Sequence, residues 1–394
     1  MSKHLNANVW RLAAAQALAG ANATVVYATG ALVGNALAPT EILSTLPISI
    51  FVAGMAASTL PAGALANRFG RRPVFLLGAL FGVLLGVIGA LAIMRSSFAL
   101  FCVAMPFGGA YAAIVLTFRF AATESVPPES RAHALSFVMA AGVLAGVVGP
   151  QLVIHTMDNI PLHQFAATYI ASGIVAFISA AVLYGVSLPK PAAKMSETGG
   201  NLLAAIRHPQ VILAIACGAV SYTLMNFLMT SAPLAMKRCG LPLNSASLGL
   251  QWHVIAMYGP GFFTGKLISK FGAPKVVMLG FLLTTAAVTV GMSGLSLTHF
   301  WASLVLLGAG WNLGFIGASS MLVDVKAPVE KTRLQALNDF IIFGCVMVGS
   351  LLSGGLLARY GWQLVCFIAI FPVAVAALLL VAMIRVGKRE GALS

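Results

Sequence analysis

Apolar runs of about 20 residues follow one another along the whole chain, and that feature decides what it can fold into. An α-helix rises about 1.5 Å per residue, so each run is long enough to cross the hydrocarbon layer of a bilayer. The chain has 394 residues, of which 60% are hydrophobic and only 8% charged. No soluble core of this size needs so much apolar sequence. The reading is an all-α integral membrane protein, because helices satisfy their backbone polar groups within one segment. Twelve spans are expected, at roughly 9–35, 42–65, 74–94, 98–120, 132–155, 165–188, 209–235, 246–268, 275–295, 299–323, 334–357 and 361–384.

A formal charge of +14 could suggest nucleic acid, but the basic residues cluster between the apolar runs. Of the 23 Lys and Arg residues, only Arg95, Lys237, Arg238 and Arg359 fall on one side of the expected topology, and the other nineteen fall on the opposite side. Basic loops stay in the cytoplasm, so both termini are expected there, with the lipid bilayer rather than nucleic acid as the surroundings. Lys3 ahead of an apolar stretch faintly resembles a signal peptide, but the stretch is too long and is read as the first span. Five cysteines, Cys102, Cys217, Cys239, Cys345 and Cys366, are scattered without a CxxC pair, and packing is the simplest role for most of them.

The longest polar segment lies near the middle, around Pro189, Lys190, Pro191, Glu197, Gly199 and Gly200. It reads as a flexible cytoplasmic linker, residues 189–208, between an N-terminal six-helix half (1–188) and a C-terminal six-helix half (209–394). The halves repeat. The stretch Gly63–Pro73 aligns with Gly265–Lys275, and Arg131–Leu135 with Arg333–Leu337, both at an offset of 202 residues. Two matches at one offset indicate a duplicated unit.

Within Gly63–Pro73, Gly63, Gly70, Arg71 and Arg72 carry a glycine and basic pattern, with Asn67 and Arg68 between them. This loop resembles the signature between helices 2 and 3 of the major facilitator superfamily. The resemblance implies two six-helix halves and a conformational gating role for Gly63, Asn67, Arg68, Gly70, Arg71 and Arg72. The family's acidic residue is replaced by Asn67, so the charge interaction made there is expected to be weak or missing. Gly142, Gly146, Gly149 and Pro150 partly resemble the glycine-proline signature of the antiporter branch; close helix packing is the plainer reading.

Charged groups inside a membrane are functional candidates because burying them is costly. Eight of the nine acidic residues fall in loops or at helix ends, and Asp339 lies only a short way into the eleventh span. No nucleophile and base pair, phosphate loop or carboxylate pair appears, so an enzyme is not expected. His253 alone among seven histidines lies well inside a span. Met225 and Met229 in the seventh span are four residues apart, as are His253 and Met257 in the eighth. Such spacing places each pair on one helix face. In antiparallel neighbours, residues at equal depth share a constant sum of position numbers. Met229 with His253 shares one sum, and Met225 with Met257 shares the same. Thioethers favour cuprous copper and imidazole accepts either copper state, so a copper site is the expectation, with Cys217, Met236 and Cys239 as a relay along the seventh span.

The pair of motifs is similar to that of the CcoA-type copper importers, a facilitator branch linked to assembly of cbb-type cytochrome oxidase. What the resemblance implies is copper uptake across a bacterial inner membrane by alternating access. Copper is then the transported substrate rather than a cofactor, with copper chaperones or chelators as candidate partners and a monomer as the working unit. Two other readings compete: a carrier of a small organic molecule whose cavity includes Met and His, and a copper-binding sensor or assembly partner that transports nothing.

Overall fold

The computed structural model describes residues 6–127, 130–188, 206–324 and 331–391; the side chains of residues 67, 131–133, 136, 323–324, 331–333, 336 and 386–391 are outside that description. The chain runs through α1 (Ala7–Leu37), a 3-10 turn (Glu41–Leu43), α2 (Leu46–Phe69), α3 (Arg71–Met94), α4 (Phe98–Val115), α5 (Phe118–Glu124), α6 (Arg131–Thr156) and α7 (Ala166–Tyr184). It continues through α8 (Pro209–Arg238), α9 (Leu243–Tyr258), α10 (Gly261–Phe271), α11 (Ala273–Ser293), α12 (Leu297–Asp324) and α13 (Lys331–Gly391). Among the described residues, ten helical stretches are long and apolar enough to cross a membrane, the last being Leu337–Arg385. That last stretch is two spans, since Gly361 breaks the helix with φ 78°. The pair α9 and α10, interrupted at Gly259 and Pro260, supplies one more, and twelve spans result. The expected linker, residues 189–208, lies mostly outside the described residues.

The repeat is visible in the backbone. Helix α1 starts at residue 7 and α8 at residue 209, again 202 apart, and these are the two most buried of the long helices. Gly70 (φ 87°) and Gly272 (φ 84°) hold the same place in the two repeats, at the turns α2–α3 and α10–α11. A left-handed backbone is needed at each turn, and glycine adopts it without the Cβ clash that other residues meet.

Helices α1–α7 pack mainly among themselves, as do α8–α13, and the two sets meet chiefly where α6 lies on α9, α2 on α13 and α1 on α8. Glycines allow the closest approach. A Cβ at Gly146 would lie 2.7 Å from Val254, and one at Gly142 would lie 3.0 Å from the Tyr258 ring. Gly142 and Gly146 therefore serve contact between the sets, whereas Gly149 faces α1, where an added Cβ would lie 2.7 Å from Thr24. Around the outside, Phe177 (67% exposed) and Leu378 (69%) belong to a broad apolar surface suited to lipid tails.

Candidate functional site

Polar contacts between the two helix sets gather on the face opposite Gly70. Thr45 Oγ1 donates to the Ser350 carbonyl at 2.9 Å, and the Gly354 amide donates to Thr45 Oγ1 at 3.2 Å. Arg238, at the end of α8, pairs with Glu41 and donates to the carbonyl of Leu357 at 2.9 Å. Gln151 Nε2 on α6 donates to Gln251 Oε1 on α9 at 2.9 Å. That face is shut.

From the middle toward the Gly70 face the sets diverge around a cavity of about 850 Å³, open space included. Gln16, Thr24 and Tyr27 of α1 line it, with Phe51 and Met55 of α2, Tyr222, Met225 and Met229 of α8, and Met257 and Tyr258 of α9. No lining side chain carries a charge. The aromatic groups continue behind the wall: Tyr222 meets Trp311, Phe315 and Phe343 edge-on with centroids 5.2–5.6 Å apart, and Tyr27 meets Phe51 at 5.5 Å. Thr24 is satisfied by the Gly20 carbonyl at 3.0 Å. The Gln16 amide and the hydroxyls of Tyr27, Tyr222 and Tyr258 have no hydrogen-bond partner among the described residues, so they are free to serve a bound molecule.

The residues suggested by the Met and His spacing separate here. Met225, Met229 and Met257 line the cavity, and His253 does not. Its Nδ1 lies 2.6 Å from the Leu304 carbonyl of α12, and the ring is fully buried. The cause is local packing. Gly308 lets α12 approach so closely that a Cβ there would sit 2.4 Å from the His253 carbonyl. Residue 253 therefore lies on the edge of α9 turned to α12, while Leu250, Val254, Met257 and Tyr258 face the cavity. Cys217 and Met236 are buried outside the lining, and Cys239 is exposed beyond the end of α8. Among the described residues, no group of three His, Cys, Asp or Glu side chains is placed to hold a metal ion.

The Gly63–Pro73 loop holds its charges in other ways. Arg71 Nε donates to Glu124 Oε2 at 2.6 Å, tying α3 to α5, and its second contact is to Glu124 Oε1. Arg72 lies 4.5 Å from the Tyr184 ring centroid, and Arg68 5.1 Å from that of Phe69. The Asn67 side chain is outside the described residues. Gly63 is open, with nothing near an added Cβ. The missed partner is Glu124, which the sequence gives as an ordinary loop acid. Gln16, Tyr27, Tyr222 and Tyr258 were also missed as site residues; polar or amphipathic side chains deep inside apolar spans were the available signal.

Two bundled sets of spans around one central cavity, sealed on one face, define a membrane carrier. The family model of the Major Facilitator Superfamily matches residues 12–272 and again 254–393. The chain belongs to that superfamily and is a secondary transporter rather than an enzyme. It is 42% identical over 389 residues to the riboflavin transporter RfnT of Brucella anthropi, covering 98% of this chain and 97% of that relative. It is 30% identical over 369 residues to the uncharacterized MFS-type transporter YddS of Bacillus subtilis, covering 89% and 84%. Among solved structures, the xylose transporter XylE of E. coli, in a partially occluded inward open conformation, superposes with a TM-score of 0.74 at 14% identity, over 96% of this chain and 97% of that one. That likeness concerns the fold alone.

Proposed function

We propose that the protein carries riboflavin, or a flavin of closely similar chemistry, into a bacterial cytoplasm across the inner membrane. The observation that supports this most is the composition of the cavity. Three tyrosines, Phe51 and four thioethers form an uncharged, polarisable wall, with Gln16 adding an unpartnered amide. A planar heterocycle stacks on aromatic rings and contacts methionine sulfur favourably. Its carbonyl and imide edge can exchange hydrogen bonds with Gln16 and the tyrosine hydroxyls. The full-length similarity to a riboflavin transporter supports the same reading. Orientation follows the basic residues: the Gly70 face is assigned to the cytoplasm, which makes the present conformation inward-facing.

Copper, suggested by the Met and His spacing, receives no support from the relatives. Three methionines still converge on the cavity, but thioethers at an aromatic wall serve a flavin equally well. The test is uptake of radiolabelled riboflavin by a riboflavin-auxotrophic bacterium without its own importer. Expression of this chain should restore growth on micromolar riboflavin and give saturable uptake that a copper chelator leaves unchanged. Failure to take up riboflavin, together with uptake of radiocopper, would return the copper reading to first place.

A further inference from the structure

Most buried hydroxyls in this bundle are satisfied by the carbonyl one turn back. On α8, Ser221 donates to Cys217 O and Ser231 to Phe227 O, each at 2.8 Å. Thr223 and Thr230 on the same helix make no such bond. Between them Asn226 is fully buried, and both its amide nitrogen and its amide oxygen lack a partner. Ser350 Oγ on α13 is also unpartnered. It adjoins Gly349, whose missing Cβ would lie 2.7 Å from the Thr223 methyl. Pro233, inside α8, has no N–H to offer the Met229 carbonyl, which frees one more acceptor in the same turn.

Thr223, Asn226 and Thr230 fall at i, i+3 and i+7, one stripe along the helix. Unsatisfied buried polar atoms cost free energy, and a cluster of them in one place calls for a partner in some other state of the protein. The surroundings indicate which state. Ser350 belongs to the contact that seals the face opposite Gly70, where its carbonyl takes the Thr45 hydroxyl. Thr223 meets α13 at Gly349, next to Ser350, so that end of the stripe borders the seam at which α2 leaves α13. The stripe is one residue from Met225 and one from Met229, both of which line the cavity.

We propose that Asn226, Thr223 and Thr230, with Ser350, form a second, polar subsite that hydrogen-bonds the hydroxylated chain of the substrate when the opposite face opens. The proposal rests on the flavin reading and deepens it. The aromatic cavity takes the planar ring, and the stripe one helix turn away takes the polyol chain. Neutral hydroxyls and one amide complement a neutral polyol; the named groups include no acid that would favour a metal ion and no base that would favour an anion. Opening the seal satisfies these atoms, and the substrate's hydroxyls then replace water on them.

The experiment compares riboflavin with lumiflavin, which has the same ring system but a methyl group in place of the polyol chain. Uptake of radiolabelled riboflavin, and its inhibition by lumiflavin, are measured for the wild type, Asn226→Leu and the near-isosteric Thr230→Val, at matched membrane abundance. The expected result is a riboflavin KM raised about tenfold in Asn226→Leu and severalfold in Thr230→Val, as befits loss of one or two hydrogen bonds. Inhibition by lumiflavin should stay within twofold of the wild type, so that the preference for riboflavin collapses. An unchanged riboflavin KM in both variants, or equal weakening of riboflavin and lumiflavin, overturns the subsite while leaving the flavin reading standing. A wild type that takes up no riboflavin overturns both.

Discussion

His253 and Met225 show how one helical spacing can lead to different surroundings. Residues four apart share a face, but that face is an arc, and a close-packed neighbour claims one edge of it. Helix α12 claims the His253 edge through Gly308, which the sequence around residue 253 does not reveal. Met225 and Met229 line the cavity together because their four-residue spacing puts them on one face of α8. The tyrosines were not legible as site residues, because a lone Tyr in an apolar span reads as packing. A double variant, Met225→Leu with Met229→Leu, conserves volume and apolar surface at the wall and should keep riboflavin uptake within about tenfold of the wild type. A thioether metal site would lose its function in the same variant. Replacing Tyr258 by Leu removes a stacking surface worth about 0.5–1.5 kcal/mol and should raise the riboflavin KM severalfold. His253→Leu leaves the Leu304 carbonyl without its partner. It should lower the thermal stability of the purified protein by about 1–3 kcal/mol and leave the KM of folded protein unchanged.

Among the elements, span number and repeat were legible because both follow from apolar length and a constant offset. The interruptions were less so. The fourth span divides into α4 and α5 and the eighth into α9 and α10, and hydropathy averages across both breaks. Gly70 and Gly272 were visible as motif glycines, and their positive φ explains why glycine is required at two turns related by the repeat. Alanine at either position should destabilise the protein by about 1–2 kcal/mol, read as a lower melting temperature in detergent. At Gly63, where an added Cβ meets nothing, alanine should leave the melting temperature within error. The α6–α9 contact is more demanding, since a Cβ at Gly146 already lies 2.7 Å from Val254. Gly146→Val should hold the two helix sets apart on that side and cut the maximal uptake rate by about tenfold or more, while the protein still reaches the membrane. Uptake at the wild-type rate would show that this contact yields freely.

For the whole molecule, alternating access requires the seal at Thr45, Ser350, Gln151 and Gln251 to open in each cycle. Linking Gln151→Cys to Gln251→Cys with a short bismaleimide, in a Cys239→Ser background, should abolish uptake, and either single cysteine should retain it. Retained uptake in the linked protein would mean that the seal does not move. The charge distribution also predicts that exposed Cys239 reacts with a membrane-impermeant thiol reagent applied to intact spheroplasts; reaction only after lysis would invert the topology. The central claim is that the uncharged aromatic cavity holds a flavin, and equilibrium binding to the purified protein tests it most directly. Titrating riboflavin should give saturable quenching of flavin fluorescence, weakened severalfold in Tyr258→Leu and unaffected by a copper chelator. Linear, unsaturable fluorescence at all protein concentrations, identical in wild type and Tyr258→Leu, would contradict the account.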